Sequence, residues 1–310
     1  MSSSESTHPD PSVVPQNPPV PETDKSTGGI EPIKVEETPA LAKLPKDVAT
    51  TLSKTDEIIV RISKLIKTSA GLGAALSTLN YAIYLAAYLH SKAPTRAAVI
   101  TYISRLIGRT PSKLPAGALA PVASTSFLTP LGSLVSDTRT TLRLTGLIPL
   151  YIWLKTLLSK KSAAEMDPGL RRVALLQCAG YIGYQAMENI YHLVGKGVVP
   201  ADVVAKRGGI NKWVAWSCRA WLVGVAADFL RLWREAQLDQ PKRLTKSVRE
   251  REEYDRKWWN EFRVAAYWLP LAIHYSLYPG GIKGMNNGLV GVLGVLAGLN
   301  NFRSQWAATA

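Results

Sequence analysis

Gly284–Phe302, GMNNGLVGVLGVLAGLNNF, runs for nineteen residues without an Asp, Glu, Lys or Arg, and its reading decides what kind of fold this chain adopts. At ~100° per residue, Gly284, Gly288, Gly291, Gly294 and Gly298 fall within an arc of about 120° of a helical wheel. Leu289, Val290, Val292, Leu293, Val295 and Leu296 fill most of the remainder. A strip of glycine lets a second backbone come close, which is how helices associate where lipid removes the hydrophobic drive. In water each of these glycines costs a helix about 0.8–1 kcal/mol. The pattern therefore predicts a membrane helix packed through its glycines, against a second copy or within the chain.

Three further uncharged runs lie upstream. Val264–Ile282 is also nineteen residues and contains Pro270, His274 and a Pro279-Gly280-Gly281 turn. Thr68–Ser91 is 24 residues, longer than the roughly 20 that cross a bilayer core. Its Gly71, Gly73, Ser77, Thr78 and Asn80 equally suit a helix buried against others, and both readings stand. Val173–Met187 is short for a span at fifteen residues and ends on Glu188, so it reads as packed or half-inserted within a helix over 170–193. Another helical pattern runs through 131–158. The fold class expected is all-α, an integral membrane helical protein.

Two segments are amphipathic. Over 52–67, Leu52, Ile58, Ile59, Ile62, Leu65 and Ile66 recur at three- and four-residue steps, with Lys54, Glu57, Arg61 and Lys64 opposite. Over 96–108, Val99, Ile100, Tyr102, Ile103, Leu106 and Ile107 form the apolar face, and Arg105 and Arg109 lie outside it. Five basic residues and no acid occur between Lys92 and Lys113. That combination suits a helix lying in the plane of an anionic membrane, with Arg105 and Arg109 on the headgroups, and equally a core helix of a bundle. Residues 110–130, with four prolines, read as a loop.

Composition sets the boundaries. The 310 residues carry a net charge of +14 and 46% hydrophobic residues, with a mean hydropathy of +0.02, but the averages conceal segregation. Residues 1–46 hold nine of the twenty prolines and seven acidic against four basic side chains, and read as a disordered tail ahead of a helical membrane domain over 47–310. A body this basic seeks anionic lipid or nucleic acid. Nucleic acid is set aside, because runs this apolar are a liability in a soluble binder. In Asn211–Trp233, Trp213, Trp216, Trp221 and Trp233 stand beside Arg219 and Arg231, a pairing that a membrane–water boundary selects. Half of the 36 residues from Asp228 to Arg263 are charged, which predicts a solvated helical excursion broken at Pro241.

No motif for catalysis, a metal or a cofactor assembles. The four histidines are scattered, no phosphate loop or nucleophile elbow is present, and Cys178 and Cys218 read as buried reduced thiols. Glu188 invites two readings: a proton-transfer group, or a carboxylate paired with a basic residue of a neighbouring helix, Arg139 and Arg219 being the candidates.

Several strings carry a resemblance. LSKTDEIIVRISKLI from Leu52, SDTRTTLRLTGLIPLY from Ser136 with its paired Arg139 and Arg143, and YQAMENIYHL from Tyr184 with Glu188 and Asn189 occur in that order. WSCRAW from Trp216, YWLPLAIHYSL from Tyr267 and the glycine-rich last helix follow. Over residues 47–306 the chain resembles the peroxisomal biogenesis factor 11 family, in its fungal C-type branch, although Thr145 interrupts the family's leucine–glycine order before Gly146. The resemblance implies an integral peroxisomal membrane protein that promotes elongation and proliferation before fission, by self-association and by amphipathic helices wedged into the cytosolic leaflet. It would have anionic lipids, further copies of itself and the peroxisomal import and fission machinery as partners. Two other functions remain open on the residues: a multi-span pore or carrier for small metabolites using Glu188, and a membrane-anchored adaptor that docks cytosolic partners through the tail and the 228–263 excursion.

Overall fold

The computed structural model describes residues 46–92 and 127–310, and every regular element among them is helical. The disordered tail expected over 1–46 falls, but for Lys46, outside the described residues. So do the amphipathic 96–108 segment, with Val99, Ile100, Tyr102, Ile103, Arg105, Leu106, Ile107 and Arg109, and nearly all of the proline-rich stretch after it. The helices are α1 (Lys46–Lys67), α2 (Ser69–Lys92), α3 (Leu128–Leu142), α4 (Leu147–Leu158), α5 (Lys160–Glu165) and α6 (Pro168–Gly195). They continue with α7 (Asp202–Ala205), α8 (Gly209–Asp239), α9 (Val248–Ser276) and α10 (Asn287–Ala307). Single 3₁₀ turns occupy Arg143–Thr145 and Gln240–Lys242.

Local chemistry sets the ends. The Thr68 hydroxyl accepts the Gly71 N–H at 3.0 Å and so caps α2, separating it from α1. Asp167 caps α6 through the Leu170 N–H, with Pro168 in the first turn, where its missing N–H costs nothing. Pro130 occupies the first turn of α3 for the same reason, so that helix starts at Leu128 rather than at Leu131. Ser247 and Glu250 form a reciprocal capping box at the start of α9. Because α9 runs unbroken to Ser276 through Pro270, Val264–Ile282 is no separate span but the apolar half of a helix that begins in the charged excursion.

The long helices pair antiparallel. α6 lies along α8: the Ser217 hydroxyl donates to the Tyr184 carbonyl at 3.0 Å and the Gln177 amide to the Gly224 carbonyl at 3.1 Å. α8 lies along α9 from the Leu232 carbonyl, which accepts the Trp258 indole N–H, to the Cys218 carbonyl, which accepts the Ser276 hydroxyl. α2 and α10 form the third pair, and Tyr81, Trp221, Leu271 and Tyr275 fill the space where the pairs meet. Cys178 and Cys218 are free thiols buried in this interior.

Candidate functional site

The glycine strip packs inside the chain. A Cβ on Gly291 would stand 2.7 Å from the Leu85 backbone nitrogen, one on Gly288 2.4 Å from the Tyr88 ring, and one on Gly294 2.1 Å from the Tyr81 ring. Gly298 is looser, 3.4 Å from the Thr78 hydroxyl. The α2 backbone therefore occupies the groove these glycines open. Gly284 is the exception: it has φ +88° in the turn before α10, with nothing within 4 Å of its Cβ direction. It belongs to a left-handed turn, where glycine is favoured, and not to the strip, because Asn286 caps the helix and starts it at Asn287.

Beside this seam lies a polar centre. Glu188, fully buried on α6, receives two bonds of 2.8 Å from the Arg143 guanidinium and one of 2.9 Å from the Tyr184 hydroxyl. Arg143 sits on the 3₁₀ turn between α3 and α4, where the end of one helix leaves carbonyls without partners. The Gln185 amide donates to the Arg143 carbonyl and the Asn189 amide to the Leu144 carbonyl, each at 3.0 Å. The Gln-x-x-Glu-Asn face of α6 thus holds both the side chain and the backbone of that turn. The carboxylate is engaged on both oxygens, which removes the motive for reading it as a proton carrier.

Neither arginine expected to pair with Glu188 does so. Arg139, buried on α3, donates to the Ser77 hydroxyl at 3.1 Å and lies 5.5 Å from the Tyr81 ring centre. In the amide orientation that satisfies its bonds, Asn80 also accepts from Arg139 and donates to the Gly132 carbonyl. Arg219 donates to the Ser276 carbonyl and stacks 5.2 Å from Trp216. Arg143 lies one turn beyond Arg139, where α3 gives way to the 3₁₀ turn, and of the two it is Arg143 that bonds to α6. The roles of Tyr184, Gln185 and Asn189 had no signal in the sequence beyond their place in one string.

Large apolar side chains also lie on the exterior. Ile58, Ile59, Ile62 and Ile66 of α1 are 44–59% exposed, while Arg61 and Lys64 on its charged side turn to the protein. The Arg61 guanidinium donates to the Trp306 carbonyl and the Thr309 hydroxyl and covers the Trp306 ring at 4.5 Å; the Lys64 ammonium donates to the Thr309 carbonyl. α1 is held by these polar contacts and by Leu65, its one buried side chain among the described ones. On α8, Trp216, Val223, Leu230 and Trp233 are exposed, the two tryptophans standing about 26 Å apart along the axis. On α9, Trp259 and Leu277 bracket a similar length, about 27 Å. α4 exposes Ile148, Tyr151, Ile152 and Leu158. Of the described helices, α2 is the one long and apolar enough to cross a bilayer, one of the two readings its sequence leaves open, while the 284–302 run, where the sequence pattern predicts a membrane helix, falls short of that measure. Asn300, Asn301 and Arg303 lower the hydropathy of α10 over its last turns.

A family model for peroxisomal biogenesis factor 11 (PEX11) matches residues 59–306, about four-fifths of the chain. The chain belongs to the peroxisomal biogenesis factor 11 family. It is similar at a significant level to no curated protein and to no solved structure. As a peroxin-11 family member it is a peroxisome biogenesis factor associated with peroxisomes. The match begins inside α1 and ends inside α10, so it takes in the Arg143–Glu188 centre and the whole glycine seam.

Proposed function

We propose that this peroxin-11 protein resides in the peroxisomal membrane and remodels it, promoting elongation and proliferation ahead of fission by inserting amphipathic helices and by associating with further copies of itself. The observation that carries the reading is the orientation of α1. A helix held at Arg61, Lys64 and the buried Leu65 that leaves four isoleucines outside presents an unpartnered apolar face matched to a lipid surface. Moving those four side chains from partial exposure into acyl chains is worth on the order of 5 kcal/mol. Shallow burial of such a helix expands one leaflet and bends the sheet. The 96–108 segment supplies a second amphipathic face, with Arg105 and Arg109 adding about 1 kcal/mol each against anionic lipid.

The bundle beside α1 supplies the anchor. Paired ionisable groups inside, apolar side chains outside, and two exposed tryptophans about 26 Å apart along α8 support a bilayer setting, whose hydrocarbon core is about 30 Å thick. Anionic lipids, a second copy of the chain and the peroxisomal import and fission machinery are the proposed partners. Alkaline carbonate washing of peroxisomes should leave the full chain in the pellet, and the purified chain should tubulate anionic vesicles, an effect that Ile58→Ser with Ile62→Ser reduces severalfold. Release into the carbonate supernatant refutes membrane residence; unchanged tubulation by the double variant refutes the role of α1.

A further inference from the structure

Where the first turn of α6, the end of α8 and the start of α9 meet, a cavity of about 370 Å³ lies outside both the glycine seam and the Arg143–Glu188 centre. Ligand sites begin at about 300 Å³. Leu170, Leu238 and Trp258 give it apolar walls, and its two ends differ in charge.

At the inner end Arg231 is ringed by Asp228, Glu235 and Glu261, and Lys257 lies 4.0 Å from Glu261. Arg231, Lys257, Glu235 and Glu261 line this end and balance one another, and Asp228, behind Arg231 and outside the lining, adds an excess of one negative charge. At the outer end Lys246 pairs with Asp239, and Arg243 pairs with Asp239 and Asp255. Lys242 contributes a third cation at the wall with no carboxylate partner among the described residues, an excess of one positive charge. Tyr254 also lines this end: Lys246 lies 4.7 Å from its ring centre, and its sheltered hydroxyl has no hydrogen-bond partner. An acceptor brought by a ligand would satisfy that hydroxyl. Trp258 lines the cavity and Trp259, its neighbour in the chain, is exposed, which on the membrane reading above puts the cavity at headgroup depth.

We infer that this cavity binds a zwitterionic amino-phosphate ester, the headgroup of a phosphoethanolamine-type lipid, with its phosphate at Lys242 and Tyr254 and its ammonium at Glu235 and Glu261 beside the Trp258 ring. The shared chemistry is a phosphate carrying an ammonium two carbons away, supplied either by a lipid or by the free ester. Calorimetric titration of the detergent-purified full chain with dihexanoyl phosphatidylethanolamine and dihexanoyl phosphatidylglycerol separates the ammonium from the phosphate. The ethanolamine lipid should bind at least tenfold more tightly. Glu261→Gln should reduce that preference below threefold, and Lys242→Gln should weaken both lipids by threefold or more. Competition by soluble O-phosphoethanolamine identifies the free ester as a sufficient occupant, whereas its failure to compete, with the lipid preference intact, assigns the site to lipid. Equal affinity of the wild-type chain for the two lipids overturns the inference without any variant. A preference that both substitutions leave unchanged places binding elsewhere and also overturns it. The soluble-ester arm needs no bilayer, so its result is independent of the carbonate wash.

Discussion

Replacing Glu188 by Met leaves the Arg143 guanidinium buried with no carboxylate, since the two bonds of 2.8 Å between them are the only ion pair it makes among the described residues. Breaking a buried pair from one side costs about 3–5 kcal/mol, because the remaining charge is uncompensated. Arg143→Met should cost a similar amount from the other side. The double variant removes both charges and substitutes two unbranched apolar chains of comparable length. What it leaves is the Tyr184 hydroxyl without the carboxylate it donates to, about 1–3 kcal/mol. The single variants together thus predict about 6–10 kcal/mol of destabilisation and the double only about 1–3, a coupling of at least about 3 kcal/mol. For a chain of this size each kcal/mol shifts Tm by about 2–4 °C, so each single variant should melt roughly 6–20 °C lower than wild type. Thermal unfolding of the detergent-purified full chain, followed by tryptophan fluorescence, reads this directly. Single variants that melt within about 2 °C of wild type, or a double variant less stable than either single, would refute the assignment of the pair as the clamp between α6 and the α3–α4 turn.

Gly291→Leu should separate α2 from α10 at a cost of about 1–3 kcal/mol or more, because even a Cβ there stands 2.7 Å from the Leu85 nitrogen; Gly73→Ala, which meets nothing within 4 Å, is the control and should be neutral or stabilising in the same melt. Arg61→Ala removes two hydrogen bonds and a cation–π contact, together about 2 kcal/mol, so protease cleavage within α1 should accelerate roughly 30-fold while the rest of the chain stays protected. The Arg234 guanidinium and the Leu170 N–H hold the Asp167 carboxyl well below the usual carboxylate range. Its folded pKa is depressed, so its stabilisation is complete above the ordinary Asp value of about 3.9 and declines as pH falls below it. Asp167→Asn keeps a competent cap and loses the charge; the Tm gap between wild type and this variant should be wider at pH 6 than at pH 3, and a gap that widens on acidification would contradict the assignment.

How far the site was legible follows from the kind of signal each part carries. The run of Gly288, Gly291, Gly294 and Gly298 announced a close helix contact, because only glycine removes the side chain from one wheel face. It did not say that the contact would be with α2 rather than with another chain, and it wrongly included Gly284, since a turn glycine and a packing glycine are identical letters. Glu188 stood out as a carboxylate in an apolar helix, and a basic partner was the correct inference, but choosing Arg143 over Arg139 required knowing which turn of α3 lies against Glu188, a matter of tertiary packing. Tyr254, Lys242 and the cavity they line gave no local signal at all.

The sequence by itself determined that the chain is helical, where most of its helices run, and that apolar and charged residues are segregated along it, because helical periodicity and capping are properties of neighbours in the chain. Tertiary structure alone decided which faces turn inward. In water, hydropathy would have told the inside from the outside; in a protein whose surroundings are read as lipid both sides of a helix are apolar, so burial follows small residues and paired polar groups. On the proposed membrane setting that rule accounts for the isoleucines of α1 lying outside, for its arginine and lysine lying against the C-terminal turn, and for a charged pair at the centre.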